Sequence, residues 1–247
     1  VRVVSLVPSI TETLLAWEVP VVGCTRFCEQ PGLPTVGGTK DPDIAAISDL
    51  APDLVVVDRE ENRRDDADAL MNAGLAVHAT HVTHLGQVEV TLRALARAVG
   101  VDPAHIAVAV TETETETEPE PETETETETE PVWTTAVVPI WRRPWMVLGP
   151  DTYGASVLAA LGVRTLPVDT AQRYPTVDLA AVGEPALVVL PSEPYPFAAR
   201  HLAEVGRLLP GSRGVLVDGR DLLWWGVRTP AALARLRAVL REVPTPR

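Results

Sequence analysis

One short pattern occurs twice in this chain. Ile44-Ala-Ala-Ile-Ser-Asp-Leu-Ala-Pro52-Asp-Leu54-Val-Val-Val-Asp58-Arg59-Glu60 reads as a short amphipathic helix, a proline turn and an apolar run that stops at charged residues. Leu179-Ala-Ala-Val-Gly-Glu-Pro185-Ala-Leu187-Val-Val-Leu190-Pro-Ser-Glu193 follows the same order. Between them lies Thr111 to Pro131, TETETETEPEPETETETETEP, with ordinary globular sequence on each side. A supersecondary unit repeated across such a segment specifies two similar lobes. The uninterrupted β-branched run from Leu54 to Val57 has the character of a strand buried on both faces.

The tract itself is a poor helix, because threonine loses rotamer freedom there and Pro119 and Pro121 interrupt it. As a strand it would set its carboxylates on one face, so an extended, solvated segment is expected. It also dominates the charge. Removing its ten glutamates from the formal −13 leaves −3 for the rest of the 247 residues. With no basic face to neutralise phosphates, nucleic acid is not an expected partner.

No apolar run approaches the roughly 20 residues that span a bilayer. The sequence opens on a strand, Val3 to Val7, which fits either a mature chain whose export signal has been removed or a cytoplasmic protein. Cys24 and Cys28 are too few for a disulfide framework and are not at a usual zinc spacing. They read as small half-buried side chains, with a local disulfide as the minor alternative.

The ends of strands carry the chemistry expected of an open α/β sheet, where ligands sit beyond the carboxyl ends. After Val3 to Val7, Ser9 and Glu12 read as a capping box opening a helix to about Trp17. Val19 to Val22 leads to Arg26 and Phe27, a pair able to grip an anionic or planar ligand, or simply a surface loop. Gly37 to Pro42 reads as a flexible connection. Asp58, Arg59 and Glu60 end the Leu54 strand as candidates for a ligand wall, or as the start of a solvated helix. Ala136 to Ile140 reads as a strand leading to Trp141-Arg142-Arg143-Pro144-Trp145. Two tryptophans and two arginines within five residues form the strongest local signal, against a reading of Trp145 as core and Trp141 as a lid. Tyr195 follows the second copy of the repeat as the counterpart of Asp58 to Glu60.

His78, His81 and His84 stand at steps of three, a spacing that converges on one ion in neither a strand nor a helix. No metal site is assigned. Gln87 to Val99 reads as a helix from the spacing of Val88, Leu92, Leu95, Ala96 and Val99, stopped by Gly100. A second helix is expected over Ala155 to Leu161, and Thr229 with Pro230 caps the last one. No G-x-G-x-x-G or Walker motif supports a nucleotide site, and no nucleophile–base pair supports catalysis.

SLVPSITETLLA, VVGCTRFCEQP, AAISDLAPDLVVVDREENRR, VVPIWRRPWMVLGPDTYGASVLAALGV and VDGRDLLWWGVRTPAAL, spaced as they are, resemble the substrate-binding proteins of ABC importers for cobalamin and iron complexes, the helical-backbone metal receptors. The resemblance implies an α/β fold of two small lobes, with mainly parallel sheets flanked by helices, a single connector and a shallow cleft between them. The lobes would be residues 1–102 and 133–247. The connector, 103–132, would have the acidic tract in place of part of the family's long backbone helix.

Carried over by position, the resemblance implies ligand contacts at Asp58, Arg59, Trp141, Arg142, Tyr174 and Trp224 or Trp225, beside Arg26, Phe27, Glu60, Trp145 and Tyr195 from the residue reading. The implied ligand is cobalamin, a ferric siderophore or haem, transported and not used as a catalytic cofactor. Aromatics mixed with both Asp58 and Arg59 favour cobalamin over an anionic siderophore. The implied partner is an importer permease, the implied state a monomer, and the implied location extracytoplasmic. Arg64, with Asp65 and Asp66 beside it, stands where the family carries a docking acid on the first lobe, and Asp178 lies near the second. Two other classes remain: a two-lobed chelatase-like enzyme using His78 or His81, and a cytoplasmic corrinoid carrier or sensor.

Overall fold

A computed structural model describes residues 1–106 and 131–242. The acidic tract and most of the connector, and with them the expected interruption of a backbone helix, lie outside the described residues.

The first compact unit takes in Val1–Val82, the chain from Gln87 and a short piece, Trp225–Val227. Its elements are β1 (Val3–Ser5), α1 (Pro8–Ala16), β2 (Val21–Cys24), β3 (Gly37–Gly38), β4 (Asp41–Pro42), α2 (Ile44–Asp49), β5 (Leu54–Asp58), α3 (Arg64–Asn72), β6 (Val77–Thr80) and α4 (Val88–Val99). The main sheet is four parallel strands in the order β2-β1-β5-β6. Val4, Leu6, Val55 and Val57 pack with Leu70 of α3 on one face. Val3 and Val56, the alternate positions, are also fully buried. Both faces are therefore covered, which is why these strands read as continuous apolar runs.

The second unit comprises Thr83–Gly86, the described chain up to Trp224, and Arg228 onward. It contains β7 (Thr134–Val137), β8 (Pro139–Trp141), β9 (Met146–Val147), α5 (Tyr153–Ala160), β10 (Val163–Leu166), β11 (Leu187–Pro191), α6 (Ala199–Leu208), β12 (Arg213–Val217), α7 (Gly219–Leu223) and α8 (Thr229–Arg241). Its four parallel strands run β10-β7-β11-β12. Each sheet thus places its first strand between its second and third, with the fourth outside. The repeat seen in the sequence is a repeat of topology. In both units the strand order reverses between the first and third strands, the switch point where open parallel sheets hold ligands.

Several local expectations shift for identifiable reasons. Helix α1 starts at Pro8 with Val7 as its N-cap and no side-chain cap. Proline at the first position needs no N–H partner, so Ser9 falls inside the first turn and the capping box does not form. Gly37 to Pro42 is a tight antiparallel hairpin of β3 and β4, not a loose connection. Gly37, at φ +88° with Asp41 and Asp43 backbone where a Cβ would stand, permits the close approach. The strand expected over Ala136–Ile140 divides at Pro139, which cannot donate to a ladder, and Pro139–Trp141 turns away to pair with β9. Thr152 accepts from the Ala155 N–H as a true N-cap of α5. Thr229 does not cap α8; it is buried with its hydroxyl 3.2 Å from that of Tyr153. In the second copy of the repeat, the short helix is a single 3-10 turn, Leu179–Ala181.

Cys24 and Cys28 are free and buried. The Cys28 sulfur lies 3.2 Å from the hydroxyls of both Thr11 and Thr25. The neighbouring Cys24 thiol, then those hydroxyls, bring the Cys28 thiol down to about 6, while Cys24 is pushed up.

Helix α4 follows its sequence pattern residue for residue: Val88, Leu92, Leu95, Ala96 and Val99 are buried, and Gly100 ends it at φ +80°. Val90, on the opposite face, is 64% exposed. Leu92→Ala is therefore expected to lose about 2–5 kcal/mol of stability, and Val90→Ala to stay within about 0.5 kcal/mol of wild type. Chemical denaturation of the two variants side by side checks this; equal losses would show that the buried face does not carry the helix.

Candidate functional site

At the exit of β5, the polar groups are spent inward. Asp58 is 3% exposed. One carboxylate oxygen accepts from Thr80 Oγ1 at 2.7 Å and the other from the Glu60 N–H at 2.9 Å. Burial raises its carboxyl above the usual range, against the pull of those two donors. The buried Asn62 accepts from the Asp58 N–H at 2.8 Å and donates to the Leu6 and Thr39 carbonyls. Asn62 thus ties the β1 and β5 exits to the β3–β4 hairpin. From this fixed loop the Arg59 side chain emerges exposed, its backbone N–H held by the Thr80 carbonyl at 3.0 Å.

The hairpin brackets the same edge. Asp41 takes both terminal nitrogens of Arg26, at 3.0 and 3.1 Å, and the guanidinium lies 4.8 Å from the Phe27 ring centroid. Phe27 is half exposed. Lys40 donates to the Glu60 carbonyl at 2.6 Å. These contacts bring Arg26 and Glu60 to the hairpin together with Lys40 and Asn62, which no sequence pattern singles out because their partners depend on a hairpin that reads as a flexible connection.

At the corresponding edge of the second unit, the arrangement is aromatic. Trp141 is 44% exposed and meets Tyr195 edge-on at 5.6 Å. Tyr195 leans on Phe197 at 4.7 Å, Trp145 stacks parallel to Phe197 at 6.2 Å, and the His201 ring stands edge-on to Tyr195 and Phe197. Arg142 is held by Glu204 of α6 through paired contacts of 2.8 Å. That ion pair holds the Glu204 carboxyl below its usual range. The ring cluster rests on buried Val205 and Leu190, so it is rigid beneath and open above. Phe197, His201 and Glu204 lie two to nine residues beyond Tyr195, and no local pattern marks them as its partners.

The remaining candidates are dispersed. Tyr174 is 38% exposed on a segment running beside β9, where Val147 donates to the Pro175 carbonyl and Gly149 to that of Arg173. Trp224 has the guanidiniums of Arg220 and Arg228 at 5.0 and 5.3 Å from its ring. Two candidates are buried. Trp225 is 6% exposed and groups with the first unit. Asp58 has its oxygens turned into the protein, which removes the acid from the mixed pair that favoured cobalamin. Among the described residues no group of three or more His, Cys, Asp or Glu side chains is placed to hold a metal, and no helix is long and apolar enough to cross a membrane.

Solved structures share this architecture. The vitamin B12 binding protein BtuF of Vibrio cholerae superposes with a TM-score of 0.72 at 16% identity, covering 98% of this chain and 96% of that one. The heme-binding protein RhuT from Roseiflexus sp. RS-1 gives 0.75 at 20% identity and 98% of each chain. A periplasmic heme-binding protein from Pseudomonas aeruginosa gives 0.72 at 21% identity, over 100% of this chain and 95% of that one. These likenesses fix the fold, two sheets of parallel strands flanked by helices. No curated protein sequence matches significantly. The sequence profile described as "Periplasmic binding protein" matches residues 3–181, well over half of the 247, and the chain belongs to that family.

Proposed function

We propose that this chain is the substrate-binding protein of an ABC importer and that it carries a large metal complex of the cobalamin, haem or ferric-siderophore class. The observation that carries the reading is the rigid, open aromatic surface of Trp141 and Tyr195 at the exit edge of the second unit. A corrin, a porphyrin or an aryl siderophore offers a broad apolar face with polar groups at its rim. Exposed rings held by a packed layer beneath them suit such a face, and arginines nearby suit the rim. Membership of the periplasmic binding protein family supports a binding role in place of catalysis. Solved structures of similar fold include a vitamin B12 binding protein and heme-binding proteins. On this reading the protein works outside the cytoplasm as a monomer, with no catalytic cofactor, and hands its ligand to a membrane permease.

Titration with cyanocobalamin, haemin and a panel of ferric siderophores tests it, followed by tryptophan fluorescence corrected for ligand absorbance. Saturable binding of one of them is expected, weakened about tenfold by Trp141→Ala, the equivalent of about 1.4 kcal/mol. Failure of every ligand to bind, or binding indifferent to Trp141→Ala, would sink the proposal.

The support under the rings has a pH signature. Because the folded Glu204 carboxyl lies below its unfolded value, its contribution is fully present above the ordinary glutamate value of about 4.3. It is lost as pH falls through the lowered folded value. Thermal unfolding from pH 7 to pH 3 is therefore expected to show Glu204→Gln less stable than wild type at neutral pH, with the gap closing in acid. A gap constant across that range would show that the ion pair does not support this surface.

A further inference from the structure

The first unit contains a depression of about 500 Å³ at the carboxyl ends of β5 and β6, against the first turns of α3, a volume within the range of about 300–1,000 Å³ typical of ligand sites. Val57, Ala67 and Ala79 give it an apolar floor, and Arg59, Arg63 and Arg64 stand around it, all exposed. Two acids also line it, and neither neutralises the arginines. Asp58 is committed to Thr80 and the Glu60 N–H. Asp68 lies 3.9 Å from Arg64, with side chains 52% and 92% exposed, a weak and solvent-screened contact. Asp65 and Asp66, in the first turn of α3, complement the helix end and do not line the depression. Among the described residues, Arg59 and Arg63 form no ion pair.

We infer that this depression is an oxyanion site, in which Arg59 and Arg63, with Arg64 at the mouth, take a carboxylate or phosphate group. Guanidinium forks match two oxygens of either anion, and the apolar floor suits the hydrocarbon part of a ligand carrying it. If the anion is part of the carried metal complex, the site extends the proposed function and rests on it; if the anion is free in solution, it does not.

Haemin and haemin dimethyl ester differ at their two propionates, carboxylates in the one and neutral methyl esters in the other, and inorganic phosphate supplies a free oxyanion. The full chain is expected to bind the diacid about tenfold more tightly than the diester, a discrimination within reach of a paired charge-assisted contact. The double substitution Arg59→Gln, Arg63→Gln is expected to abolish that difference, so that diacid and diester bind alike. Loss of affinity for both forms would mark the arginines as structural and overturn the site. So would equal affinity for diacid and diester, if phosphate gives no saturable thermal stabilisation that the double substitution removes. Phosphate stabilisation that depends on the two arginines, with no macrocycle bound, would support the site with a free oxyanion as its occupant and count against the carried-haem reading. Macrocycle binding indifferent to both propionates and phosphate would keep the functional reading and overturn the site.

Discussion

A parallel sheet covered on both faces leaves its carboxyl edge for chemistry, and each unit of this chain is built around such a sheet. Val3 and Val56 are as fully buried as Val4 and Val55, so neither central strand of the first sheet, β1 nor β5, has a wet face. Substituents that must meet solvent or a ligand are therefore collected in the loops where strands end. The shared strand order, with its reversal between first and third strands, sets which of those loops adjoin a crevice. The repeat in sequence is thus also a repeat of where function can sit.

The two exit loops use that position differently. In the first unit, Asp58 and Asn62 put their hydrogen-bonding capacity into the fold, closing the β1–β5 crevice and pinning the hairpin. A buried carboxylate is costly unless its oxygens are satisfied, and here two donors satisfy it. Arg59 and Arg63 project from the loop, with the exposed Glu61 between them. In the second unit the equivalent loop turns its bulk outward: Trp141 and Tyr195 are partly exposed because Trp145, Phe197 and His201 already fill the layer below. One edge offers charge on a stiff backbone, the other flat apolar surface on a packed support.

How legible this was in the sequence depended on the range of the interactions involved. Local pattern sufficed for α4, read from its spacing, and for both copies of the central strand, read as continuous apolar runs. The resemblance to a binding-protein family carried the two-lobed fold, because it rested on several segments in order. Trp141, Trp145 and Tyr195 were found as strand-exit aromatics. Their partners Phe197, His201 and Glu204 come from a separate helix and the loop before it, and nothing in the Trp141 segment encodes that approach. For Asp58 and Trp225 residue type suggests a ligand contact while burial is decided elsewhere, for Asp58 by Thr80, 22 residues on.

Charge makes the same point on a larger scale. The chain carries a formal −13, ten charges of which belong to the Thr/Glu tract, and composition alone would assign it cationic partners. Screening limits the reach of exposed charges to about 8 Å at physiological ionic strength, so net charge governs solubility and encounter, while affinity is set by the groups a ligand touches. The loop after β5 shows the distinction within ten residues. Asp58, Arg59, Glu60, Glu61, Arg63, Arg64, Asp65 and Asp66 sum to an acidic stretch. Folding then buries Asp58, places Asp65 and Asp66 at the start of α3, and leaves the arginines around the depression. The sign of a surface is settled by which side chains the backbone turns outward, and in this loop an acidic sequence leaves three arginines around one depression.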